Sequence, residues 1–263
     1  MGKAVHVEVV GTTTVVTIDR PAVRNAVDGP TALALHDAFL AFDADEAQRV
    51  AILTGAGGTF CAGADLKAVS TGDGNRVESM TPGAPDPEAL GPMGPTRLRL
   101  SKPVIAAVEG HAVAGGLELA LWCDLRVAAR DAVFGVYCRR WGVPLVDGGT
   151  VRLPRLIGQS RAMDMVLSGR PVEGSEAEAW GLANRLTEPG GALDGALALA
   201  EQLAAFPQRC LRSDRASVLG QWSRSEWDAL AEETELGLDT IRSGETLEGA
   251  SRFAAGEGRH GRF

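Results

Sequence analysis

The stretch from residue 101 to residue 128 constrains the fold of this chain most, because its composition changes from strand-type to helix-type within one short span. It reads SKPVIAAVEGHAVAGGLELALWCDLRVA. The apolar run over Val104–Val108 is typical of a buried strand, and the turn at residues 114–116 contains two glycines. Residues 116–122 then have helix-forming composition. The pattern predicts a strand, a glycine turn and a helix, in that order.

The predicted turn is a candidate site for a negatively charged oxygen. Glycine lets the backbone approach a ligand closely, and the first amides of a helix lack intrahelical partners and lie at its positive end. Glu118 lies three residues into the predicted helix, so its carboxyl group is within about one turn of these amides. An anion site beside a possible base suggests catalysis.

A second motif, FCAGADLK at residues 60–67, follows a predicted strand over residues 50–53. FCAGAD, together with GHAVAGGLEL about fifty residues further on, resembles the paired motif of the crotonase (enoyl-CoA hydratase/isomerase) superfamily. Either turn alone would be weak support, because most glycine-rich turns are only turns. The resemblance extends from about Val15 to the C-terminus. It implies an α/β fold, a crotonase-like spiral of ββα repeats, and an acyl-CoA thioester as substrate.

Composition and charge limit the classes of molecule that this chain could bind. The chain has 263 residues, of which 45% are hydrophobic, so it is long enough to bury a large core. A formal net charge of −8 argues against nucleic acid or an anionic membrane surface as a general partner. No apolar run approaches the ~20 residues of a membrane span, and the N-terminus lacks a signal-peptide pattern. We therefore expect a small-molecule partner, no nucleic acid, no membrane, and a cytoplasmic location.

The four cysteines are interpreted as reduced thiols. They form no CxxC pair and have no spacing typical of a metal site, and a chain of this length needs no disulfides for stability. They are Cys61, Cys123, Cys138 and Cys210. We expect no metal site.

The N-terminal part of the chain alternates strand and helix patterns. Residues 5–10 and 13–18 alternate apolar and polar side chains and predict a hairpin. Asp28 is a candidate N-cap for a helix that runs to about Ala44, after which the strand pattern returns at residues 50–53.

This arrangement recurs loosely in the next part of the chain. Strand patterns at residues 104–108, 125–128 and 132–137 accompany the predicted helix at residues 116–122. Periodicity alone indicates an α/β protein, and repeated ββα units suggest the spiral that the resemblance also implies.

The remaining segments are a loop and a helical end. Residues 71–96 are rich in glycine and proline, which predicts a mobile loop or short broken helices, and this region shapes the acyl pocket in crotonase-like proteins. We predict a spiral core over residues 1–200 and a helical region over residues 201–263, which the resemblance implies to pack between the subunits of a homotrimer or a dimer of trimers. From residue 150 onward we predict helices over residues 150–157, 160–167, 175–179, 193–205, 208–220, 225–238 and 246–254.

The resemblance assigns an oxyanion hole to two backbone amides. Ala64 in FCAGAD matches the family's first donor, and Gly115 matches the second. Two such amides would hold a thioester oxygen as it becomes an enolate, and this chemistry needs no cofactor. The alternative is that both residues merely line turns. This interpretation is weaker, because the two motifs occur together.

Five positions match residues that contact coenzyme A in the family. Arg24 and Lys67 could supply positive charge to the phosphates, Ala62 a carbonyl oxygen to the adenine, and Leu66 an apolar wall, with Ala22 beside them. The alternative is that the arginine and the lysine are ordinary solvated surface residues.

The acid–base residues depart from the family's pattern. Glu118 matches the first catalytic glutamate of enoyl-CoA hydratases, which handles the water proton, but the second glutamate position is occupied by Cys138. Cysteine is a poor acid–base partner for a carboxylate, because its pKa is ordinarily near ~8.5 and its hydrogen bonds are weak. We interpret Cys138 as a buried thiol rather than a nucleophile. His111 is interpreted as a packed neutral imidazole rather than a base.

Asp147 could replace the missing glutamate. It precedes Gly148-Gly149 and matches the catalytic aspartate of dienoyl-CoA isomerases and the nucleophile of chlorobenzoyl-CoA dehalogenases. A dehalogenase has less support, because residues 71–96 contain no histidine to act as its general base. An aspartate before two glycines is equally typical of a helix N-cap.

These observations predict an enoyl-CoA hydratase-type enzyme that acts on an acyl-CoA thioester through an oxyanion-stabilised enolate. Two alternatives remain open at this point. One is an enoyl- or dienoyl-CoA isomerase that uses Glu118 and Asp147. The other is an acyl-CoA-binding homologue that lost turnover together with its second glutamate.

Overall fold

A computed structural model describes residues 3–258 of the chain. The chain forms two compact units, with the boundary between Glu201 and Gln202. The N-terminal unit contains the strands and the loops around the candidate motifs, and the C-terminal unit is helical.

Two sheets organise the N-terminal unit. The strands are β1 (Val5–Val10), β2 (Thr13–Ile18), β3 (Val50–Gly55), β4 (Val104–Val108), β5 (His111–Val113), β6 (Leu125–Ala129), β7 (Val133–Gly135), β8 (Pro171–Glu173) and β9 (Arg185–Thr187). The larger sheet has the order β1-β2-β3-β4-β6-β9, and the smaller has the order β5-β7-β8. β1 pairs antiparallel with β2, and the other pairs of the larger sheet are parallel. In the smaller sheet β5 and β7 are parallel, whereas β7 and β8 are antiparallel.

The chain crosses from one sheet to the other in successive turns of a spiral. β4 belongs to the larger sheet and β5, directly after Gly110, to the smaller one, and β6 and β7 repeat this crossing. Cys61 adds an isolated bridge to Ala112 of β5, which brings FCAGAD beside the smaller sheet. β3 and β4 are buried almost throughout, as expected for parallel strands covered on both faces.

Helices follow the strand pairs. They are α1 (Gly29–Ala44), α2 (Leu66–Ser70), α3 (Gly115–Trp122), α4 (Gly149–Ile157), α5 (Gln159–Ser168), α6 (Gly174–Ala179), α7 (Ala192–Ala205), α8 (Gln208–Gly220), α9 (Glu226–Arg242) and α10 (Glu245–Ala254). Asp28 caps α1 by accepting the Thr31 N–H at 3.0 Å, and α1 buries Leu35 and Phe39 in the core.

The structure confirms the predicted hairpin, the helix that starts at Asp28, the strands at residues 50–53, 104–108 and 125–128, and each helix predicted after residue 150. The predicted helix at residues 116–122 begins one residue earlier, at Gly115. The prediction missed β5, β8 and β9, because a strand of three residues is too short to show a period.

Two further predictions need correction. The predicted strand at residues 132–137 is shorter, because β7 ends at Gly135 and Tyr137–Trp141 forms a 3-10 helix. The segment at residues 71–96, predicted as a mobile loop or short broken helices, is exposed only in its first part and contains the start of a 3-10 helix at Pro95–Arg97. Residues 91–96 are buried, since Gly91 and Gly94 exchange backbone hydrogen bonds and Met93 is enclosed in the core.

The C-terminal unit consists of packed helices that carry several exposed apolar side chains. Glu245 caps α8 by accepting the N–H groups of Arg209 and Cys210 at 3.2 and 2.8 Å. Trp227 of α9 and Leu247 of α10 are more than two-thirds exposed, at 79% and 73%. Within residues 3–258, no helix is both long and apolar enough to cross a membrane.

Candidate active site

A cavity of about 390 Å³ lies in the N-terminal unit, where the two glycine turns meet the loop before α4. Apolar residues form most of its wall: Leu66, Val69, Val77, Pro92, Met93, Val113, Trp141, Val143, Pro144 and Val146. Polar side chains also reach it: Arg24, Asn75, His111, Glu118, Tyr137, Cys138 and Asp147. The backbones of Ala62, Ala64, Ala114 and Gly115 complete the lining.

Ala64 lines this cavity, and a single parallel bridge turns its amide away from Val27. Val27 donates its N–H to Gly63 O at 2.8 Å and accepts the Asp65 N–H at 2.9 Å. In a parallel pair the residue between two such bonds directs its own N–H to the opposite side. Within the described residues, the Ala64 N–H has no acceptor.

The Gly115 amide is free for a different reason, because Gly115 is the first residue of α3. Ala114 before it has φ 54° and ψ −125°, a conformation that costs a non-glycine residue about 1–3 kcal/mol. The Ala114 N–H donates to Gly135 O at 2.9 Å, which anchors this turn to β7.

The two turns are in direct contact. A Cβ at Gly63, which has φ 99°, would lie 2.9 Å from Ala114 Cβ and 3.0 Å from Gly115 N. A Cβ at Gly116 would lie 2.1 Å from Cys61 O. Glycine is therefore required at both positions, and their lack of side chains brings the two free amides to one end of the cavity.

Glu118 is a buried carboxyl group that caps a neighbouring helix. It is 2% exposed, and its Oε1 accepts the N–H groups of Asp147 and Gly149, both at 2.8 Å. Gly149 is the first residue of α4. Burial raises the pKa of Glu118 to about 7, the Gly149 N–H opposes this shift, and the negative charge of Asp147 adds to it.

Asp147 lies beside Glu118 and is 4% exposed. Its Oδ1 accepts the Met93 N–H at 2.9 Å and the hydroxyl of Thr96. Burial raises its pKa, while the Thr96 hydroxyl and the Met93 N–H oppose the shift. The N-cap interpretation of Asp147 is wrong, because the N-cap of α4 is Gly148 and the carboxyl group at this helix end belongs to Glu118.

Arg152 joins the segments that carry these groups. Its Nη1 donates to Asp147 O at 2.8 Å and its Nη2 to Thr96 O at 2.7 Å. Met93, Thr96 and Arg152 were not predicted as site residues from the sequence. Arg152 follows Asp147 closely in the chain, which is a signal for it, but nothing in the local pattern pointed to Met93 or Thr96.

Cys138 lines the same cavity and is 6% exposed, which confirms its interpretation as a buried thiol. Burial raises the pKa of the thiol, and the nearby Glu118 carboxylate raises it further. A neutral thiol at this position is a weak nucleophile.

The five residues matched to coenzyme A contacts divide into two groups. Arg24, Ala62 and Leu66 line the cavity. Ala22 and Lys67 are exposed on neighbouring segments, a 3-10 helix over Pro21–Val23 and helix α2, and do not line it.

Two residues that were not predicted from the sequence, Arg20 and Asn25, hold these segments in place. Arg20 pairs with Asp28 at 2.7 Å and with Asp65 at 3.1 Å. The amide of Asn25, which is fully buried, donates to Ala56 O and Thr59 O at 2.8 and 2.6 Å. Within residues 3–258, no cluster of three or more His, Cys, Asp or Glu side chains could hold a metal ion.

Comparison with known proteins gives consistent matches along most of the chain. The sequence model of the family described as enoyl-CoA hydratase/isomerase matches residues 8–260. Enoyl-CoA hydratase EchA19 of Mycobacterium tuberculosis is 37% identical over 93% of this chain and 91% of its own length. A carnitinyl-CoA dehydratase of Salmonella arizonae is 39% identical over 87% of this chain and 82% of its own. The crystal structure of enoyl-CoA hydratase EchA1 from Mycobacterium marinum superposes with a TM-score of 0.87 at 39% identity, over 96% of each chain.

Proposed function

The chain belongs to the enoyl-CoA hydratase/isomerase family of the crotonase superfamily, and from that premise we propose that it hydrates the double bond of a 2-enoyl-CoA thioester. The observation that carries this proposal is the arrangement of one cavity. Two free backbone amides, Ala64 and Gly115, and two buried carboxyl groups, Glu118 and Asp147, line it together.

The two amides serve the thioester oxygen. When water adds to Cβ, the electrons of the double bond shift towards the carbonyl, and its oxygen becomes negative. Fixed donors at that oxygen stabilise the enolate without reorganisation, and removal of one such donor typically costs ~2.7–4 kcal/mol of barrier stabilisation. This chemistry needs no resident cofactor.

The carboxyl pair moves the protons. One carboxylate takes the proton of the attacking water, and one carboxylic acid gives a proton to Cα, so the pair needs one proton and one negative charge at the start. A pKa of about 7 for Glu118 favours one shared proton near neutral pH. Because the negative charge of Asp147 is one cause of that raised pKa, the proton lies on Glu118 and Asp147 is ionised. In this form Asp147 takes the proton of the water and Glu118 gives its proton to Cα.

The coenzyme A part of the substrate would extend from the amides past Arg24, Ala62 and Leu66. The exposed Lys67 and Ala22 lie on the segments next to this path, where a cation could meet a phosphate. We also propose a cytoplasmic location, because the cysteines of the described chain are free thiols.

A matched pair of variants at Gly115 tests the oxyanion hole. Gly115→Pro removes the donor N–H at a helix position that tolerates proline, and Gly115→Ala adds a Cβ near the Met93 side chain but keeps the N–H. We expect the proline variant to lose about 100-fold more hydration turnover than the alanine variant. Hydration of a panel of 2-enoyl-CoA esters, followed by mass spectrometry, measures this difference. Equal losses in the two variants would remove Gly115 from the oxyanion hole.

One observation also favours a second activity, the isomerisation of an enoyl-CoA double bond. Asp147 lines the cavity, whereas the second glutamate position holds Cys138. A carboxyl pair without a second glutamate could shift a proton between Cα and Cγ instead of activating water. A 3-enoyl-CoA added to the panel separates the activities when the products are resolved by chromatography before mass spectrometry, because isomerisation gives a 2-enoyl-CoA of unchanged mass and hydration adds one water. An acyl-CoA-binding homologue without turnover would give neither product.

A further inference from the structure

We propose that Thr96 is a positioning residue that holds Asp147 so that only its Oδ2 atom exchanges protons with the substrate, and that Arg152 keeps the two residues together. The proposal rests on the proposed function, in which Asp147 is the second carboxyl group of the pair. We call Thr96, Asp147 and Arg152 the aspartate clamp.

In the aspartate clamp, one carboxyl oxygen of Asp147 is already occupied by two hydrogen-bond donors. Thr96 is 1% exposed and lies in a 3-10 helix over Pro95–Arg97, and its hydroxyl donates to Asp147 Oδ1. The Met93 N–H donates to the same atom at 2.9 Å. A proton on Oδ1 would compete with these two donors. Among the described residues nothing donates to Oδ2, so Oδ2 is the oxygen that can take and release a proton.

The second part is the connection between two distant segments. Thr96 and Asp147 are 51 residues apart in the sequence. One guanidinium, that of Arg152, donates to the backbone oxygens of both residues at 2.8 and 2.7 Å. The planar fork of arginine fixes the separation of its two acceptors, which a lysine ammonium could not do.

Two glycines make room for the aspartate clamp. A Cβ at Gly91 would lie 2.1 Å from Thr96 Oγ1 and 3.2 Å from Asp147 Oδ1. A Cβ at Gly148 would lie 2.4 Å from Arg152 Nη1. Only glycine fits beside these side chains at both positions. The Asp147 side chain is therefore closely packed, although it lies on an irregular segment.

The chemistry explains why such positioning is needed. Asp147 belongs to the irregular segment before α4 rather than to a helix or strand, and proton transfer requires heavy atoms within hydrogen-bond reach. A misplacement of about 1 Å can cost on the order of 100-fold in rate. A short side chain on an irregular segment needs supporting contacts to be held this closely.

Thr96→Val tests the aspartate clamp, because valine keeps the shape of threonine and removes the hydroxyl. We expect kcat for hydration to fall about tenfold with little change in KM, since one hydrogen bond to a charged group is lost. We also expect the acidic limb of the pH profile of kcat/KM to move to higher pH, because the hydroxyl favours the ionised form of Asp147. Thr96→Ser restores the hydroxyl and should restore both quantities.

Asp147→Asn separates this inference from the function on which it rests. In that background Thr96→Val should cause no further loss, because both changes act on one carboxyl group. A wild-type kcat and pH profile in Thr96→Val, beside a slow Asp147→Asn, would overturn the clamp and leave the carboxyl pair intact. An equal loss of kcat from Thr96→Val in the wild-type and Asp147→Asn backgrounds would also overturn the clamp. If Asp147→Asn keeps full turnover, the catalytic role of Asp147 and the clamp are both wrong.

Arg152→Lys provides an independent variant in case Thr96→Val does not fold, as judged by circular dichroism and the urea midpoint. It keeps the positive charge but cannot bridge both carbonyl oxygens. We expect a similar loss of kcat and the same direction of pH shift. An unchanged kcat and pH profile in a folded Arg152→Lys would overturn the role of Arg152.

Discussion

Glu118 has two opposing effects on the stability of the folded protein. Its carboxyl group accepts the Asp147 and Gly149 amides and so caps α4, but it is 2% exposed and lies beside a second carboxyl group. Burial and that neighbour favour the protonated form, which raises the pKa from the usual 4.5 to about 7. The same shift that makes Glu118 a useful proton carrier near neutral pH makes its ionised form costly in the folded protein.

The pH dependence of stability follows from this shift. Between pH 4.5 and about 7 the folded protein binds more protons at Glu118 than the unfolded chain, so this group lowers stability as pH rises and adds nothing further above about 7. The full effect is about 3 kcal/mol. Glu118→Gln keeps an oxygen for the two amides and does not titrate. We expect its stability relative to wild type to increase through this pH window and then become constant.

Urea unfolding at pH 4.5, 6 and 8 measures this difference. Glu8→Gln is the matched control, because the side chain of Glu8 is exposed on β1. A difference between Glu118→Gln and wild type that stays constant over this range would contradict the raised pKa of Glu118. The hydration assay on the same protein should show a large loss of turnover.

At the scale of elements, the site depends on the contact between two turns. The turn at Gly63 comes from the segment after β3, and the turn at Ala114 lies between β5 and α3. β5 positions both, because Cys61 donates its N–H to His111 O at 2.9 Å and accepts the Val113 N–H at 3.1 Å. The strained φ of Ala114 is held by these surrounding contacts.

Gly63→Ala tests this contact. The new methyl group would meet Ala114 Cβ and the Gly115 backbone, and alanine is also strained at φ 99°. Overpacking of this kind costs about 1–3 kcal/mol and would separate the two amides. Gly158→Ala is the control, because Gly158 also has a positive φ, 79°, but open space around it. We expect both variants to lose stability and only Gly63→Ala to lose hydration turnover. Equal turnover in the two variants would contradict the importance of the contact.

At the scale of the whole molecule, we propose that chains associate as a homotrimer or a dimer of trimers. The exposed apolar side chains of the C-terminal unit support this proposal: Val218, Leu219, Trp222, Trp227, Leu230, Ile241, Leu247 and Phe253. Isolated surface hydrophobics are normal, but a concentration in one helical unit is typical of an interaction surface.

Light scattering after size exclusion tests this association directly. We expect a mass three or six times the 27.4 kDa of one chain, unchanged on tenfold dilution, because burial of many apolar side chains makes an interface stable. Trp227→Asp, which places a charge on the 79% exposed side chain, should lower the mass if this surface is the interface. A monomeric wild-type protein would rule the association out.

The sequence by itself determined the longer strands and helices and the two motifs. The Asp28 cap, the hairpin and the helix that carries Glu118 follow from side chains that are neighbours in the chain, so a local pattern was sufficient to predict them. FCAGAD and GHAVAGGLEL likewise encode turns through their own glycines. The paired motifs therefore led to the correct fold and family.

The tertiary structure alone decided which carboxyl group caps α4 and what Asp147 contacts. The sequence left Asp147 divided between helix cap and catalyst, and the fold places Glu118 at that helix end instead. Thr96 meets Asp147 across 51 residues, and a short strand such as β5 forms only because Cys61 and β7 flank it. Such contacts depend on which segments the spiral brings together. The sequence around Thr96 therefore does not indicate that Asp147 is its partner, and the sequence around Asp147 does not indicate Thr96.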